Sequence, residues 1–150
     1  MFDTNEIKKN ILEIGKRLYN NGFSSGISGN ISIRHNDKIF ITATGTCLGE
    51  ITEAEIIILC KDGLIVEENA KKSSSESMMH VEIYKARAEI NAIIHAHPPY
   101  STALAVSEET KFPAILAESV VTFGKNIPVV KYETPSTIEL AKSVDRKSVV

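Results

Sequence analysis

The segment 90–102, INAIIHAHPPYST, constrains the fold most strongly, because it is an apolar run of strand composition that stops at two prolines. It carries His95 and His97 immediately before Pro98. Alternate side chains of a strand share one face, so both imidazoles can converge on one ion. Since neutral imidazole is the commonest protein ligand for zinc, the pair predicts a metal site at a strand end. Two histidines making ordinary hydrogen bonds would give the same short motif, so the spacing leaves both interpretations open.

The composition is that of an ordinary soluble globular chain. With 150 residues, of which 43% are hydrophobic and 24% charged, the chain suits a single domain, 1–150. A net charge of -2 leaves no basic excess, which argues against a nucleic-acid partner. No signal peptide and no long apolar run is seen, so we expect no membrane association. The two cysteines, Cys47 and Cys60, have no metal-site spacing, and a reducing cytoplasm is the expected compartment.

Hydrophobic periodicity predicts an alternation of helices and short strands. Apolar residues spaced by three and four, from Ile7 to Leu18, predict an amphipathic helix that Asp3 or Thr4 caps and that ends near Gly22. By periodicity alone, the alternation of elements favours a parallel βαβ sheet. The other predicted elements are a β-hairpin with its turn at 35–38, a helical turn at 52–55, a buried strand at 56–60, a return strand at 64–66, a helix at 76–89, a helix at 101–106, a strand at 127–132 and a helix at 135–144.

Two loops that flank the hairpin have the composition that phosphate recognition needs. Gly29 and Asn30 precede the first strand, and Thr44 and Gly45 follow the second. A hairpin would bring both loops to the same end. Glycine lets backbone N–H groups approach an anion closely, and hydroxyls add donors. Each loop taken singly also has the composition of an ordinary turn.

A third loop, 73–76, opens a predicted helix with three serines and a glutamate. Ser74 and Ser75 could donate to an anion at the helix N-terminus, where backbone N–H groups are unpaired. Alternatively, Ser73 and Glu76 fit the S-x-x-E capping box, in which the glutamate only closes the helix start. The sequence supports both interpretations.

The chain carries, in this order, the glycine–asparagine loop, the threonine–glycine loop, the serine–serine–glutamate helix start and the sequence H-x-H-P-P-Y-S-T. Together these motifs resemble the class II aldolase/adducin family. The resemblance runs from about Ile11 to the C-terminus. It implies a three-layer α/β/α domain around a largely antiparallel central sheet, in place of the parallel sheet that periodicity favours. It also implies a cyclic homotetramer with active sites between neighbouring subunits.

The resemblance further implies a role for each motif. His95 and His97 match the family's first two ligands of a divalent metal, normally zinc, and Glu76 matches the general acid and base beside it. The implied reaction is metal-dependent cleavage of a ketose 1-phosphate to dihydroxyacetone phosphate and an aldehyde. Such a cleavage needs a Lewis acid at the substrate oxygens and a nearby base, which these groups would supply. The residues that match the three loops for the substrate phosphate are Gly29, Asn30, Thr44, Gly45, Ser74 and Ser75.

Two features depart from the family pattern. Catalytic zinc generally has three protein ligands, and the family's third histidine stands in a histidine–glycine motif that this sequence lacks, leaving only His35 and His80. We therefore expect a C-terminally truncated form of a longer enzyme. The family's general acid is a tyrosine after a proline–alanine–isoleucine segment; here no tyrosine follows residues 113–115, although Tyr100 and Tyr132 are available.

Other functions within the family remain as alternatives. Pentulose-phosphate 4-epimerases share the H-x-H element but usually carry serine–serine–aspartate–threonine where this chain has a glutamate at residue 76. Methylthioribulose-1-phosphate dehydratase keeps the glutamate and is the nearest enzymatic alternative. A non-catalytic, adducin-like binding module would have lost the metal ligands. The presence of His95, His97 and Glu76 argues against that module.

Overall fold

The protein is described from a computed structural model, which covers residues 3–67, 71–107, 116–124, 129–130 and 132–145. Its elements are helices and short strands. They are α1 (Thr4–Asn20), β1 (Asn30–His35), β2 (Lys38–Thr42), a 3₁₀ turn (Glu53–Glu55), β3 (Ile56–Cys60), α2 (Ser77–Ala86), β4 (Ala92–His95), α3 (Pro99–Val106), α4 (Ala117–Phe123) and α5 (Ile138–Asp145).

The four strands form one sheet in the order β3-β2-β1-β4, and every neighbouring pair is antiparallel. The prediction of a parallel sheet from periodicity is therefore wrong, and the antiparallel sheet that the family resemblance implies is confirmed. Periodicity identifies strands but carries no information on their direction. Here the hairpin fixes β1 and β2 as antiparallel, and β4 returns on the other side of β1 with Asn30 opposite His95.

Helix α1 covers one face of the sheet. As predicted, Asp3 caps the helix, and its carboxylate accepts a hydrogen bond from the backbone N–H of Glu6 at 2.7 Å. The buried face of α1 packs against apolar side chains of β1, β2 and β3 and of the 48–51 loop. This cluster consists of Ile7, Ile11, Ile31, Phe40, Leu48, Ile51, Ile56 and Ile58.

Helix α2 covers the opposite face, which completes three layers, helix, sheet and helix. Helix α5 in turn packs on α2, where Met79 and Ile83 meet Ala141. The cluster between α2 and the sheet consists of Ile39, Ile41, Ala43, Ile57, Leu59, Val81 and Tyr84. Because the two helices bury opposite faces, the pleat of each strand divides its side chains between two cores.

Some predicted boundaries are wrong. The segment 64–66 does return along β3, with hydrogen bonds on both sides of a bridge from Leu59 to Ile65, but the pairing is limited to that bridge and its side chains are exposed. Helix α3 begins at Pro99, and α2 ends at Ala86. Helix α5 begins at Ile138 instead of 135, because Ser136 has a left-handed φ of 64° that no helix contains. The predicted strand at 127–132 lies mostly outside the described residues. Within those ranges, no helix is long and apolar enough to span a bilayer.

Candidate active site

A pocket of about 200 Å³ lies at the end of the sheet where β1 begins and β2 and β4 end. The antiparallel pairing creates it, because residues that are far apart in the sequence share this end of the sheet. Ile27 and Ala43 line the wall together with every metal, catalytic and phosphate-loop residue that the family resemblance implies. The pocket thus gathers Gly29, Asn30, Thr44, Gly45, Ser74, Ser75, Glu76, His95 and His97.

The two histidines converge on this pocket. His95 is the last residue of β4, and His97 lies two residues beyond the strand. Their ring centroids are 4.8 Å apart with the planes tilted by 48°. Burial lowers the pKa of His95, and His97 lowers it further, while the Glu76 carboxylate raises it. The His95 imidazole is therefore neutral at neutral pH, which is the form that binds a metal ion.

Glu76 occupies the N-cap position of α2, but its carboxylate makes no cap hydrogen bond. The capping-box alternative is therefore wrong: Ser74 Oγ accepts from the Glu76 N–H at 3.2 Å, and Ser73 Oγ lies 3.4 Å from Ser77 Oγ. Glu76 is 8% exposed, and its Oε2 is buried with no hydrogen-bond partner among the residues that the structure describes. Burying a carboxylate oxygen without a hydrogen-bond partner costs free energy of folding. Such an oxygen is typical of a group held for a ligand or a reaction.

Sequence reasoning missed Ser136, which contacts this carboxylate. Ser136 Oγ donates to Glu76 Oε1 at 3.0 Å, so within the described ranges Oε2 is the carboxylate oxygen that has no partner. Ser136 lies in the turn before α5 and has a left-handed φ of 64°. A Pro-Ser-Thr sequence is an ordinary turn, and no periodicity or motif connects it to a residue 60 positions away. Only the tertiary fold brings the two together.

The second and third loops lie side by side because their backbones are hydrogen bonded. An isolated antiparallel bridge joins Ala43 to Ser73. The Thr44 N–H donates to the carbonyl of Lys72 at 3.0 Å, and the Ser74 N–H donates to the carbonyl of Thr42 at 3.2 Å. The threonine–glycine loop and the serine loop are thus one continuous wall of the pocket.

The first loop approaches β4 closely, and glycine is required for this. Gly29 has a φ of 80°, and a Cβ at this position would lie 2.8 Å from the His95 carbonyl oxygen. No larger residue fits without moving the end of β4. The next residue, Asn30, lies between two imidazoles, with His95 Nδ1 at 3.2 Å from its Nδ2 and His80 Nε2 at 2.6 Å from its Oδ1.

The third metal ligand and the general acid are not found in the part of the chain that the structure describes. In that part, no group of three or more histidine, cysteine, aspartate or glutamate residues is arranged to hold a metal ion. His35 lies at the hairpin turn, at the other end of β1, and His80 has both ring nitrogens hydrogen bonded. Tyr100 and Tyr132 are exposed and do not line the pocket.

The donor set nevertheless fits a divalent metal in part. Two convergent imidazoles and the unpartnered Oε2 of Glu76 present nitrogen and oxygen atoms at one pocket, and zinc accepts both. His95 turns Nδ1 toward Asn30, so Nε2 is the nitrogen that remains for a metal. His95 and His97 would supply two of the three protein ligands of a catalytic zinc site.

Comparison with known proteins agrees with this fold. The chain belongs to the family of the class II aldolase and adducin N-terminal domain, whose model matches residues 9–148. An L-fuculose phosphate aldolase of Methanocaldococcus jannaschii is 34% identical over 140 residues, which cover 93% of this chain and 75% of the relative. The L-fuculose phosphate aldolase of Escherichia coli K12 is 31% identical over 142 residues, which cover 95% of this chain and 65% of the relative.

A solved structure of L-fuculose 1-phosphate aldolase matches the fold with a TM-score of 0.87 at 33% identity. The match covers 98% of this chain and 68% of that one. This chain therefore spans about two thirds to three quarters of the length of these relatives. The family assignment and the fold that the sequence motifs implied are both confirmed.

Proposed function

We propose that the protein is a metal-dependent aldolase that cleaves a ketose 1-phosphate, such as L-fuculose 1-phosphate, to dihydroxyacetone phosphate and an aldehyde, which for that substrate is lactaldehyde. The observation that carries the proposal is the pocket itself. It unites two convergent imidazoles, a buried carboxylate oxygen without a partner and three loops rich in glycine and hydroxyl groups. The named relatives support the same substrate class.

The three loops would bind the substrate phosphate. Gly29, Thr44, Gly45, Ser74 and Ser75 line one small pocket together. Hydroxyl and backbone N–H groups of such loops favour an anion. The Asn30 side chain is hydrogen bonded to two imidazoles, and Asn30 also lines the pocket. Binding the phosphate would hold the reacting carbon atoms beside Glu76 and the histidines, so that remote binding energy favours the transition state.

Glu76 would move the proton. Cleavage breaks a carbon–carbon bond: the hydroxyl on the departing carbon loses its proton as the aldehyde forms, and the carbon that stays with the phosphate must gain a proton. Ser136 holds Oε1 at 3.0 Å, so Oε2 is the free atom that would give or take this proton. The same carboxylate serves the reverse direction as a base.

His95 and His97 would hold the metal, with zinc the expected ion. When bound, it supplies a Lewis acid that polarises the substrate oxygens. A third protein ligand would come from outside the described residues. The neutral state of His95, which burial favours, prepares this side chain for ligation.

We also propose that the protein assembles as a homotetramer in the cytoplasm, with sites between neighbouring subunits. Exposed apolar side chains on the segment of α3 and α4 support an interface there, since Val106 is 76% and Val121 is 88% exposed. Light scattering on the purified protein should give the mass of four chains. Val121→Asp should lower that mass, and a wild-type monomer at all concentrations would contradict the assembly.

The reaction is tested with the protein expressed from its complete reading frame and loaded with zinc. L-Fuculose 1-phosphate should yield dihydroxyacetone phosphate, detected by reduction with a coupled dehydrogenase, and a chelator should abolish the product. Added zinc should restore it. No cleavage by the zinc-loaded protein, or cleavage that survives chelation, would contradict the proposal. Inorganic phosphate should also raise the melting temperature, because it binds only the folded pocket.

A further inference from the structure

A chain of hydrogen bonds runs from the pocket into the protein interior. It begins at His95, passes through the amide of Asn30 to His80, and ends at Ser32 and Tyr84. Ser32 Oγ lies 2.7 Å from His80 Nδ1 and 2.8 Å from the Tyr84 hydroxyl. The Tyr84 hydroxyl also lies 3.1 Å from the Ser32 carbonyl oxygen, to which it can donate. Only the first two of these residues line the pocket.

The side chains of this hydrogen-bond chain are brought together by the repeat of a strand and of a helix. Asn30 and Ser32 alternate along β1 and so point to the same face of the sheet, while His80 and Tyr84 are one helical turn apart on α2. Ser32 and His80 are 0% exposed, and Asn30 and Tyr84 are also buried. The protons in this chain are therefore fixed by the neighbouring side chains.

Every group in the interior part of the chain is neutral. Burial lowers the pKa of His80 to about 3, with a smaller contribution from His95. Burial also raises the pKa of Tyr84 to about 12, against the hydrogen bond from Ser32 and the charge of Arg34. A neutral imidazole has one N–H donor and one acceptor nitrogen. The donors must therefore all point the same way along the chain.

In the structure the amide oxygen of Asn30 lies toward His80. In this orientation each donor of the hydrogen-bond chain points toward the pocket. Tyr84 donates to Ser32 Oγ, Ser32 to His80 Nδ1, His80 Nε2–H to Asn30 Oδ1, and Asn30 to His95 Nδ1, which makes four hydrogen bonds. The 2.6 Å contact between His80 and Asn30 suits an N–H to oxygen bond. In this direction His95 must carry its proton on Nε2, the nitrogen that faces away from Asn30.

The opposite direction is the one that a metal requires. A metal on His95 Nε2 leaves the ring proton on Nδ1, which then donates to the Asn30 oxygen. The Asn30 amide must turn over and donate to His80 Nε2, His80 Nδ1–H must donate to Ser32, and Ser32 to Tyr84. The Tyr84 proton then moves to the Ser32 carbonyl, which makes five hydrogen bonds in place of four.

We infer that Asn30, His80, Ser32 and Tyr84 are positioning residues for His95, and that binding a metal at His95 Nε2 reverses the direction of the whole chain. The inference rests on the proposed function in one respect, namely that His95 is a metal ligand. His80 does not line the pocket, so its proton position reports the reversal without contact with the metal.

The test is to observe His80 directly by nuclear magnetic resonance. Protein labelled with ¹⁵N-histidine is examined by long-range ¹H–¹⁵N correlation, metal-free and with zinc. His80 should carry its proton on Nε2 without metal and on Nδ1 with zinc. The same tautomer in both samples would overturn the inference.

Two variants give readouts that a merely structural role would not change. Tyr84→Phe removes two hydrogen bonds from the direction that a bound metal requires and one from the metal-free direction. Because the metal-bound direction loses one bond more, zinc affinity should fall about 2- to 10-fold. The matched control Tyr19→Phe, on the partly exposed tyrosine of α1, should leave zinc affinity unchanged. Asn30→Asp accepts from both rings, so His80 should keep its Nε2 proton with and without zinc. A switch of His80 in Asn30→Asp, or an unchanged zinc affinity in Tyr84→Phe, would contradict the inference.

Failure of the inference and failure of the proposed function are distinguishable. If zinc binds at His95 and His80 keeps one tautomer, the reversal is wrong and the metal site stands. If zinc titration leaves the His95 resonances unmoved, the metal site is wrong, and with it the inference.

Discussion

The α1 face and the α2 face of the central sheet differ in what they bury. Against α1 the sheet presents Ile31 and Phe40, which belong to a cluster of buried apolar side chains. Against α2, strand β1 presents Ser32, which is hydrogen bonded to His80 and Tyr84 beside a second apolar cluster. A buried polar chain adds little net stability compared with apolar packing, but it fixes the orientation of its members. The α1 face therefore stabilises the fold, and the α2 face positions the pocket.

The largest expected effect comes from the carboxylate where the α2 face meets the pocket. Glu76→Gln should lower cleavage of the ketose phosphate by roughly 10² to 10⁴-fold, because it removes the proton-transfer group. Zinc and phosphate affinity should change little, since Gln keeps the shape of the side chain. Steady-state assays on the full reading frame measure the loss. Glu82→Gln on the same helix, where Glu82 pairs with Lys85, is the matched control. Wild-type turnover by the Glu76 variant would remove Glu76 from the mechanism.

A cavity on the α1 face should act on stability alone. Ile11 is fully buried in the α1 cluster, and Ile11→Ala should cost about 2–5 kcal/mol in the free energy of unfolding. Urea denaturation measures this loss. Phosphate affinity of the molecules that remain folded should match the wild type. If Ile11→Ala also weakened phosphate binding by the molecules that remain folded, the two faces would not be separate in function.

Two glycines of the pocket allow a matched comparison of close approach with backbone strain. Gly29→Ala meets the His95 carbonyl at 2.8 Å in addition to a positive φ, so it should cost about 2–4 kcal/mol and weaken phosphate binding. Gly45→Ala has a φ of 70° but open space around its Cβ, and it should cost only about 1–2 kcal/mol. Denaturant melts of both variants measure the difference. Equal losses would mean that the first loop does not press on β4.

The effect that is smallest at neutral pH is an acid sensitivity that belongs to the α2 face. The pKa of His80 is about 3 in the folded protein against an ordinary value of 6.5, so the unfolded chain binds the proton first. The contribution of His80 to stability is complete above pH 6.5 and is lost as the pH falls toward about 3, with a slope of up to about 1.4 kcal/mol per pH unit.

His80→Gln should flatten this pH dependence, whatever its effect on stability at neutral pH. The control is His35→Gln, which removes the histidine of the hairpin turn and should keep the wild-type slope. Denaturant melts at a series of pH values below 6.5 provide the measurement. An unchanged slope in His80→Gln would show that His80 is not held neutral.

Much of this architecture was accessible from the sequence. The spacing of Ile7 and Ile11 predicted α1 with a cap at Asp3 or Thr4, and alternating isoleucines predicted the hairpin, because these signals are local. Strand direction was not predictable from periodicity, since it depends on how the chain returns, and only the motif order implied the antiparallel sheet. The motifs also indicated the residues that form the pocket, but neither the Ser136 contact with Glu76 nor the hydrogen-bond chain. Both join residues that are about 50 or more positions apart.

The pocket as a joint metal and phosphate site is the central claim, and it is tested most directly by a crystal structure with zinc and inorganic phosphate. Anomalous scattering at the zinc edge should give one peak, about 2.0–2.1 Å from a ring nitrogen of His95 and of His97. Phosphate density should lie against Gly29, Gly45 and Ser74. A zinc peak away from both histidines, or a phosphate bound only outside this pocket, would contradict the account.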